Sequence, residues 1–152
     1  QEVFNHPSNL FVAGFIGSPQ MNFFDAELKK DGDYYVELNG VRINLPEDKQ
    51  AALKAKDVAP QSITMGIRPD HIALAEGQDN GVIEATMDVT ELMGSTIHMH
   101  VNVAGKDAVM IVPTLDLTNE QTNSFTYGAK IQVYFGGNAI HMFSKETEMN
   151  LI

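Results

Sequence analysis

The feature that most constrains the fold is a regular alternation of apolar and polar residues in the second half of the chain. Between Gly81 and Leu92, four apolar residues at every second position are expected to share one face of a strand: Ile83, Ala85, Met87 and Val89. Residues 96–103 repeat the pattern, with His98 and His100 on the polar side. Because neighbouring side chains of a strand point to opposite faces, each stretch predicts a strand that is buried on one side.

Shorter strand signals surround these two stretches and are separated by turn residues. They lie at residues 22–30, 34–38, 41–45, 62–68, 108–112, 131–135 and 140–143. Asn39-Gly40 is a strong signal for a two-residue hairpin turn between the second and third of these strands. Many short strands with closely spaced turns are typical of an all-β sandwich or barrel, and the long alternating strands favour a small closed barrel. The predicted fold is mainly β with one or two short helices, one of them from Pro46 to about Lys56.

The N-terminal segment differs from the rest of the chain because it is apolar on every side. The run from Leu10 to Gly17 follows Ser8 and Asn9, either of which could cap a short helix. A helix with no polar face must be covered by another surface. The rest of this chain or a neighbouring domain could supply that surface. Because the resemblance described below implies that the neighbouring domain is the one missing here, we expect this helix either to fray or to be buried in a homodimer contact. The chain starts at Gln1 rather than Met, and we expect it to continue a longer protein.

Charge and composition exclude several classes of partner and site. The chain has 20 acidic and 10 basic residues, a net charge of -10, and residues 69–152 alone hold 11 acidic and 3 basic residues. This balance argues against nucleic acid and against an anionic membrane surface, since both attract clustered Lys and Arg. There is no cysteine, which excludes disulfides, thiolate nucleophiles and Cys-ligated zinc. The apolar run at Leu10–Gly17 is too short to cross a bilayer, so no direct membrane insertion is expected.

The sequence contains no motif for nucleotide binding or catalysis. No phosphate-binding loop, dinucleotide fingerprint, zinc-protease helix or serine-nucleophile elbow occurs, and Gly105-Lys106 belongs to a hairpin turn. His98-x-His100 places two histidines on one strand face. The alternate positions of this strand are all apolar, so the histidines lie on its solvated face, and no third ligand is apparent. Glu84 and Asp88 lie on a solvated face, where carboxylates serve solubility. We therefore predict no catalytic, metal-binding or cofactor-binding residue in this chain.

Four stretches resemble the ATP-binding subunits of bacterial sugar importers of the maltose and multiple-sugar type. The longest is residues 4–23, FNHPSNLFVAGFIGSPQMNF, which resembles the end of the nucleotide-binding domain in that family. Residues 66–71, GIRPDH, resemble its G-I-R-P-E-H loop, and residues 91–95, ELMGS, resemble its E-x-x-G-S turn. Residues 141–147, HMFSKET, resemble its closing H-L-F-D-x-E-T. The chain departs from the pattern at Asp70, Thr96, Ser144 and Glu148, where the family usually has Glu, Glu, Asp and Gly.

The resemblance implies a C-terminal regulatory domain with a transport-associated OB (TOBE-type) β-barrel that has additional strands. Residues 1–20 are then the last helix and linker of the nucleotide-binding domain, and residues 21–152 are the regulatory domain. The parent subunit is expected to bind ATP and Mg in the preceding domain, whereas this fragment holds no cofactor. Its partners are a second copy of the subunit, the transporter's membrane subunits and a regulatory protein, on the cytoplasmic face of the bacterial membrane.

Candidate partner contacts follow from loop position, since loops carry recognition in barrels. Pro69 ends a strand and polar groups surround it, and a second turn lies at residues 91–94; the candidates are Arg68, Pro69, Asp70, His71, Glu91 and Gly94. In the alternative interpretation, Arg68 and Asp70 brace each other within the fold. Two other functions stay open: a barrel that senses a small oxyanion or sugar, which backbone amides could bind, and a stand-alone hydrolase, which the missing motifs disfavour.

Overall fold

Ten strands form two antiparallel sheets in the residues that the computed structural model describes, 7–15 and 20–152. In chain order they are β1 (Asn22–Asp31), β2 (Asp33–Leu38), β3 (Val41–Asn44), β4 (Gln61–Ile67), β5 (Ala73–Leu74), β6 (Val82–Met93), β7 (Thr96–Val103), β8 (Lys106–Pro113), β9 (Lys130–Tyr134) and β10 (His141–Ser144). The first sheet has the order β10-β4-β1-β2-β3, and the second has the order β5-β9-β6-β7-β8. The predicted mainly β fold is confirmed.

Short helices connect the strands. They are α1 (Leu10–Phe15), α2 (Glu47–Ala55) and α3 (Asn119–Ser124), with 3-10 turns at Pro69–His71 and Thr114–Asp116. The first two match the predicted helices, and the Asn9 side chain caps α1 by accepting a hydrogen bond from the Val12 amide. The third was not predicted. Its start is nevertheless encoded locally, because Thr118 and Gln121 form a reciprocal capping box.

Two polar seams join the sheets to each other. On one side, the Asn22 side chain donates to the Val109 carbonyl and accepts from the Val109 amide, which connects β1 to β8. On the other side, the Gly81 amide donates to the Arg42 carbonyl of β3, and the Gly81 carbonyl accepts from the Phe135 amide. Side-chain and loop hydrogen bonds therefore link the sheets where no strand is shared.

The buried core lies between the sheets and follows the predicted alternation, with one exception. Along β7 every second residue is buried, from Ile97 to Val103. In β6, Ile83, Ala85 and Met87 are buried, but Val89 is 52% exposed, so its predicted inward orientation is wrong. The reason is a β-bulge between Met87 and Thr90, where an extra residue shifts the register against β7.

The N-terminal segment packs against the end of the chain. The Leu10 amide donates to the Glu148 carbonyl, and the Asn150 amide donates to the Ser8 carbonyl. Ala13 is fully buried in a small cluster with Met21 and Phe143, while Phe11 of the same helix is largely exposed. Fraying is therefore wrong for residues 7–15. The predicted helix end at Gly17 lies outside the described residues, and the homodimer contact and the domain boundary at residues 20/21 stay predictions.

The loop between β9 and β10 is held by a lysine of α2. The Lys49 ammonium donates to the carbonyls of Gly137 (2.9 Å), Asn138 (3.2 Å) and Ile140. Burial lowers the pKa of Lys49 to about 8, against a smaller opposing effect of the Asp48 charge. Gly137 in turn lies against the end of β3, next to the Asn44 carbonyl. This lysine thus connects α2 to the β9–β10 loop, and the loop in turn lies against β3.

The hairpin between β2 and β3 has the predicted turn, since Asn39 and Gly40 both have positive φ, 50° and 83°. We expect Gly40→Val to lower the free energy of unfolding by about 1–3 kcal/mol, because a β-branched residue is strained at this φ. Urea denaturation of both proteins measures the difference. Gly40→Asn is the matched control and should lose less, because Asn tolerates positive φ. Equal stability of the valine variant and the parent would contradict the turn assignment.

Candidate partner-binding surface

The first group of predicted contact residues follows β4 directly. Arg68 and Pro69 are buried, whereas Asp70 and His71 are exposed on the 3-10 turn. Burial lowers the pKa of the Arg68 guanidinium, and the negative charge of Asp70 opposes that shift. Arg68 and Pro69 therefore serve the packing of this loop, and Asp70 and His71 are the members of the group that solvent reaches.

Asp70 lies at the edge of a cleft of about 350 Å³ in the second sheet. One wall is the loop from Asp70 to Gln78, and the other is the end of β8 with the turn and helix that follow it. The lining includes Leu74, Pro113 and Leu117 as well as the carboxylates of Glu76 and Asp116. With carboxylates on both walls and apolar side chains between them, the cleft is unsuited to an anion.

The second group of predicted contact residues lies at the tip of the β6–β7 hairpin. Glu91 and Gly94 are exposed, and Gly94 has a φ of 70°, which the tight turn requires. The Glu91 carboxylate lies 2.6 Å from Nε2 of His100 on β7. This contact crosses the hairpin just beyond the bulge and holds the two strands of the tip together.

The end of β8 separates the two groups. Pro113 lines the cleft beside Asp70 and also pairs with Thr96, the first residue of β7. The next residue, Thr114, donates from its amide and its hydroxyl to the Ser95 carbonyl, both at 2.9 Å. The fold thus brings Asp70 and the Glu91–Gly94 turn to the same end of the second sheet, on either side of residues 113–116.

Sequence reasoning missed the apolar residues of this surface. Leu92, Met93 and Leu115 are 73%, 52% and 95% exposed, respectively. Leu92 lies in a stretch where the alternation predicts a regular half-buried strand, and nothing in that pattern indicates the bulge. Leu115 follows Pro113-Thr114, a turn signal that places it in a loop but says nothing about its neighbours. Leu92 and Met93 are consecutive residues of β6, so their side chains point to opposite faces of the hairpin.

Neither a metal-binding group nor a membrane-spanning helix is found among the described residues. Among them, no group of three or more His, Asp or Glu side chains is placed to share a metal ion. None of the described helices has the length and apolar character needed to cross a membrane. A larger cleft of about 580 Å³ lies between α2, the N-terminal segment and β10, and its lining includes Lys49, Lys56 and His141. It contains none of the predicted contact residues.

Two family models match overlapping parts of the chain. Residues 17–72 match the MalK OB fold domain. Residues 65–143, more than half of the chain, match the TOBE domain. This chain belongs to the TOBE domain family. Its TOBE region includes Asp70 and the hairpin tip, so both groups of predicted contact residues lie within the matched part.

Curated relatives align with nearly the whole TOBE chain but are much longer. An uncharacterized ABC transporter ATP-binding protein, YcjV of Escherichia coli O6:K15:H31 (strain 536 / UPEC), is 36% identical over 147 residues, which are 97% of this chain and 38% of the relative. The oligosaccharides import ATP-binding protein MsmX of Bacillus subtilis (strain 168) is 31% identical, with 99% of this chain and 40% of the relative covered. The multiple sugar-binding transport ATP-binding protein MsmK of Streptococcus mutans serotype c (strain ATCC 700610 / UA159) is 33% identical, with 97% and 38% covered. This chain therefore spans about two fifths of their length.

A solved structure shares the fold of this TOBE chain. It is the cytoplasmic molybdate-binding protein ModG, with a TM-score of 0.58 and 10% sequence identity, over 78% of this chain and 92% of ModG. At this identity the similarity establishes the arrangement of the two sheets. It supports the predicted β-barrel fold and carries no information about a role or a ligand.

Proposed function

We propose that this chain is the regulatory and dimerisation domain of the ATP-binding subunit of a bacterial ABC sugar importer. The observation that carries the proposal is the alignment of nearly the whole chain with ATP-binding proteins, one named for oligosaccharide import and another for multiple sugar-binding transport. The TOBE match supports a regulatory role for this region of such a subunit. ATP hydrolysis, with its ATP and Mg, belongs to the remaining three fifths of the parent protein.

The proposed partners follow from the same assignment. A second copy of the subunit and the membrane subunits of the importer hold the parent on the cytoplasmic face of the membrane, and a regulatory protein contacts this domain. The end of the second sheet supports a role in protein contact, because it combines exposed carboxylates with exposed apolar side chains. Asp70, His71, Glu91 and Gly94 are the proposed contact residues on this surface, with Arg68 and Pro69 supporting the loop beneath them.

We expect Mg-ATP to leave the thermal unfolding of this chain unchanged. The reason is that the chain has no phosphate-binding loop, and a ligand that binds only the folded state at 100 times its dissociation constant would stabilise it by about 2.7 kcal/mol. Differential scanning fluorimetry with and without millimolar Mg-ATP measures this. A reproducible rise of several degrees would place a nucleotide site in the chain and contradict the proposal that ATP binds only in the rest of the parent protein.

The substitution Asp70→Ala tests whether Asp70 contacts a partner protein or instead braces Arg68 within the fold. As a contact residue, Asp70 should be dispensable for folding, and its loss should leave the melting temperature within about 2–4 °C, which corresponds to about 1 kcal/mol in a domain of this size. The same substitution in the full-length subunit should then impair regulation of transport while basal transport continues. Asp31→Ala, at an exposed position of the first sheet, is the control and should change neither property. A larger loss of stability with regulation intact would show that Asp70 braces Arg68.

A further inference from the structure

One edge of β6 has no strand partner over its last part. Strand β9 pairs with β6 from Val82 to Thr86, and Met87 makes two further hydrogen bonds, to the Ala129 amide's carbonyl neighbour group and from the Gly128 amide, at residues 128–129. Beyond Met87, β7 is the one strand of the described residues that pairs with β6, and it does so on the opposite side. The six residues 88–93 are all exposed. We name this side of residues 88–93 the open edge of β6.

The hydrogen-bond pattern identifies which backbone groups face the open edge. The Val109 amide and carbonyl bind a side chain of β1, so they point away from β7. Backbone groups alternate in direction from one residue to the next along each strand of an antiparallel sheet. Across the register, this alternation directs the backbone groups of Glu91 and His98 toward each other. The amides and carbonyls of Thr90 and Leu92 therefore point to the open side, where they offer two donors and two acceptors to another strand.

The open edge lacks the residues that usually prevent strand pairing. Natural edges are often protected by lysine, by proline or by a covering loop. Residues 88–93, DVTELM, contain neither lysine nor proline. Three of the six side chains are large, apolar and about half or more exposed: Val89, Leu92 and Met93. The bulge precedes this segment and does not interrupt it, since residues 90–93 pair regularly with β7. The edge is therefore suited to accept one more strand.

Glu91 makes the pairing of two such edges unfavourable. In a symmetric antiparallel pair that uses the backbone groups of both open residues, Thr90 of each copy is opposite Leu92 of the other. The two Glu91 residues are then directly opposite each other at the two-fold axis. Like charges at directly opposed positions of neighbouring strands are destabilising. Charge therefore favours a different strand, with a basic residue at the position opposite Glu91.

We propose that the open edge of β6 binds an extended segment of a partner protein as an additional antiparallel strand. The segment carries Lys or Arg opposite Glu91, with apolar or β-branched residues on either side of it. Main-chain hydrogen bonds to Thr90 and Leu92 supply the binding energy, and the basic residue sets the register. One oxygen of Glu91 lies 2.6 Å from Nε2 of His100, and the basic side chain pairs with the other. This inference rests on the proposed contact with a regulatory protein and specifies how that partner binds.

A designed peptide tests the proposal on the 152-residue chain. The probe is a ten-residue peptide with one central lysine flanked by alternating valine and threonine, and amide hydrogen exchange is followed by NMR. In the free chain, the amides of Thr90 and Leu92 should exchange rapidly. Those of Glu91 and Met93 should be protected, because they face β7. At saturating peptide we expect exchange at Thr90 and Leu92 to slow at least tenfold. The Gly105 amide, at the opposite end of β7, should not change.

A proline variant tests the main-chain hydrogen bonds. The Leu92 amide points to the open side, so Leu92→Pro removes a donor from the edge without removing a hydrogen bond to β7. We expect this variant to bind the fluorescein-labelled peptide at least tenfold more weakly than the parent, measured by fluorescence anisotropy. Leu92→Ala keeps the amide and is the matched control, with binding within about threefold of the parent. Circular dichroism melting verifies folding. If Leu92→Pro unfolds, a peptide N-methylated at the amides that face β6 replaces it and should not bind the parent.

Charge variants test the basic residue of the segment. Glu91→Gln should weaken peptide binding several-fold and reduce its salt dependence. Glu146→Gln removes the same charge at another exposed position and should bind like the parent. Replacing the peptide lysine by glutamate should weaken binding to the parent, and Glu91→Lys should restore binding of that glutamate peptide.

Three results would overturn the proposal. The first is unchanged exchange at Thr90 and Leu92 in the presence of the peptide. The second is equal binding when the main-chain hydrogen bonds are blocked by Leu92→Pro or by N-methylation, which would indicate attraction by net charge. The third is concentration-dependent dimerisation of the parent, seen by analytical ultracentrifugation and lost in Leu92→Pro, which would identify a second copy as the occupant. None of these results bears on Asp70→Ala in the full-length subunit, so failure of this inference is distinguishable from failure of the proposed function.

Discussion

Gly137→Ala is expected to lower the free energy of unfolding by at least about 3 kcal/mol, the upper end of the usual range for overpacked positions. A Cβ at this position would lie 1.9 Å from the Asn44 carbonyl oxygen, 2.9 Å from the Asn44 carbonyl carbon and 3.2 Å from Cα of Leu45. All three are backbone atoms, so no side-chain rotation relieves the overlap. One of the two backbones has to move.

Neither backbone can move easily. The Gly137 carbonyl accepts a hydrogen bond from the Lys49 ammonium, which also donates to the carbonyls of Asn138 and Ile140. On the other side, Leu45 is buried in the core directly after β3. A shift of the loop weakens the lysine contacts, and a shift of β3 disturbs the core. Gly137→Ala is therefore expected to lower the free energy of unfolding more than the same substitution at a glycine whose neighbours are free to adjust.

Two other glycines provide a graded comparison by urea denaturation. In Gly14→Ala the new Cβ would meet the Phe23 ring at 3.5 Å, an ordinary contact, and stability should change little. In Gly66→Ala it would lie 2.4 Å from Sδ of Met21, a flexible side chain that can rotate away, so the loss should be intermediate. If Gly137→Ala unfolded at the same urea concentration as Gly14→Ala, the close approach of the β9–β10 loop to β3 would be wrong.

The second large effect is expected for Asn22→Leu, which should lower the free energy of unfolding by about 2–4 kcal/mol. The Asn22 amide group donates to the carbonyls of Val109 (2.8 Å) and Ile67 (3.3 Å) and accepts from the Val109 amide (2.9 Å). Leucine has a similar size but no polar atom, so the N–H and the C=O of Val109 lose these partners at the seam between the sheets. A buried donor or acceptor without a partner costs about 1–3 kcal/mol.

A surface asparagine of the second sheet provides a control for the general effect of replacing asparagine by leucine. Asn102 donates to the Asp107 carboxylate at 3.3 Å on the polar face of β7, and Asn102→Leu should change the free energy of unfolding by less than about 0.5 kcal/mol. Thermal and urea unfolding of both variants give the comparison. A loss at Asn22 no larger than at Asn102 would show that the β1–β8 seam contributes little to stability.

Local patterns predicted most of the strands and the turns between them. Residues 96–103 alternate as a half-buried strand and form one with the predicted bounds. Asn39-Gly40 adopts positive φ at both positions because the short turn requires it and these residue types tolerate it. Such features depend on neighbouring residues along the chain. The same reasoning was wrong at Val89, because a bulge depends on how β6 pairs with β7 and leaves no mark in the alternation.

The candidate surface was predicted in part. Loop position identified Asp70 and the Glu91–Gly94 turn, and the fold brings both to one end of the second sheet; their role as partner contacts stays a prediction. The exposure of Leu92, Met93 and Leu115 was not predicted, since strand alternation says nothing about the end of a hairpin. Leu115 lies near this hairpin because Pro113, two residues before it, pairs with Thr96.

The sequence by itself determined the class of fold, the family and the acidic character of the second sheet, because each of these depends on composition or on residues close together in the chain. The tertiary structure decided which side chains connect the sheets. Asn22 meets Val109 across 87 positions, and Lys49 meets Gly137 across 88. An asparagine or a lysine in a local pattern indicates only a polar position. Which backbone groups it satisfies depends on the packing of the two sheets, because that packing determines which carbonyls and amides are left without a strand partner.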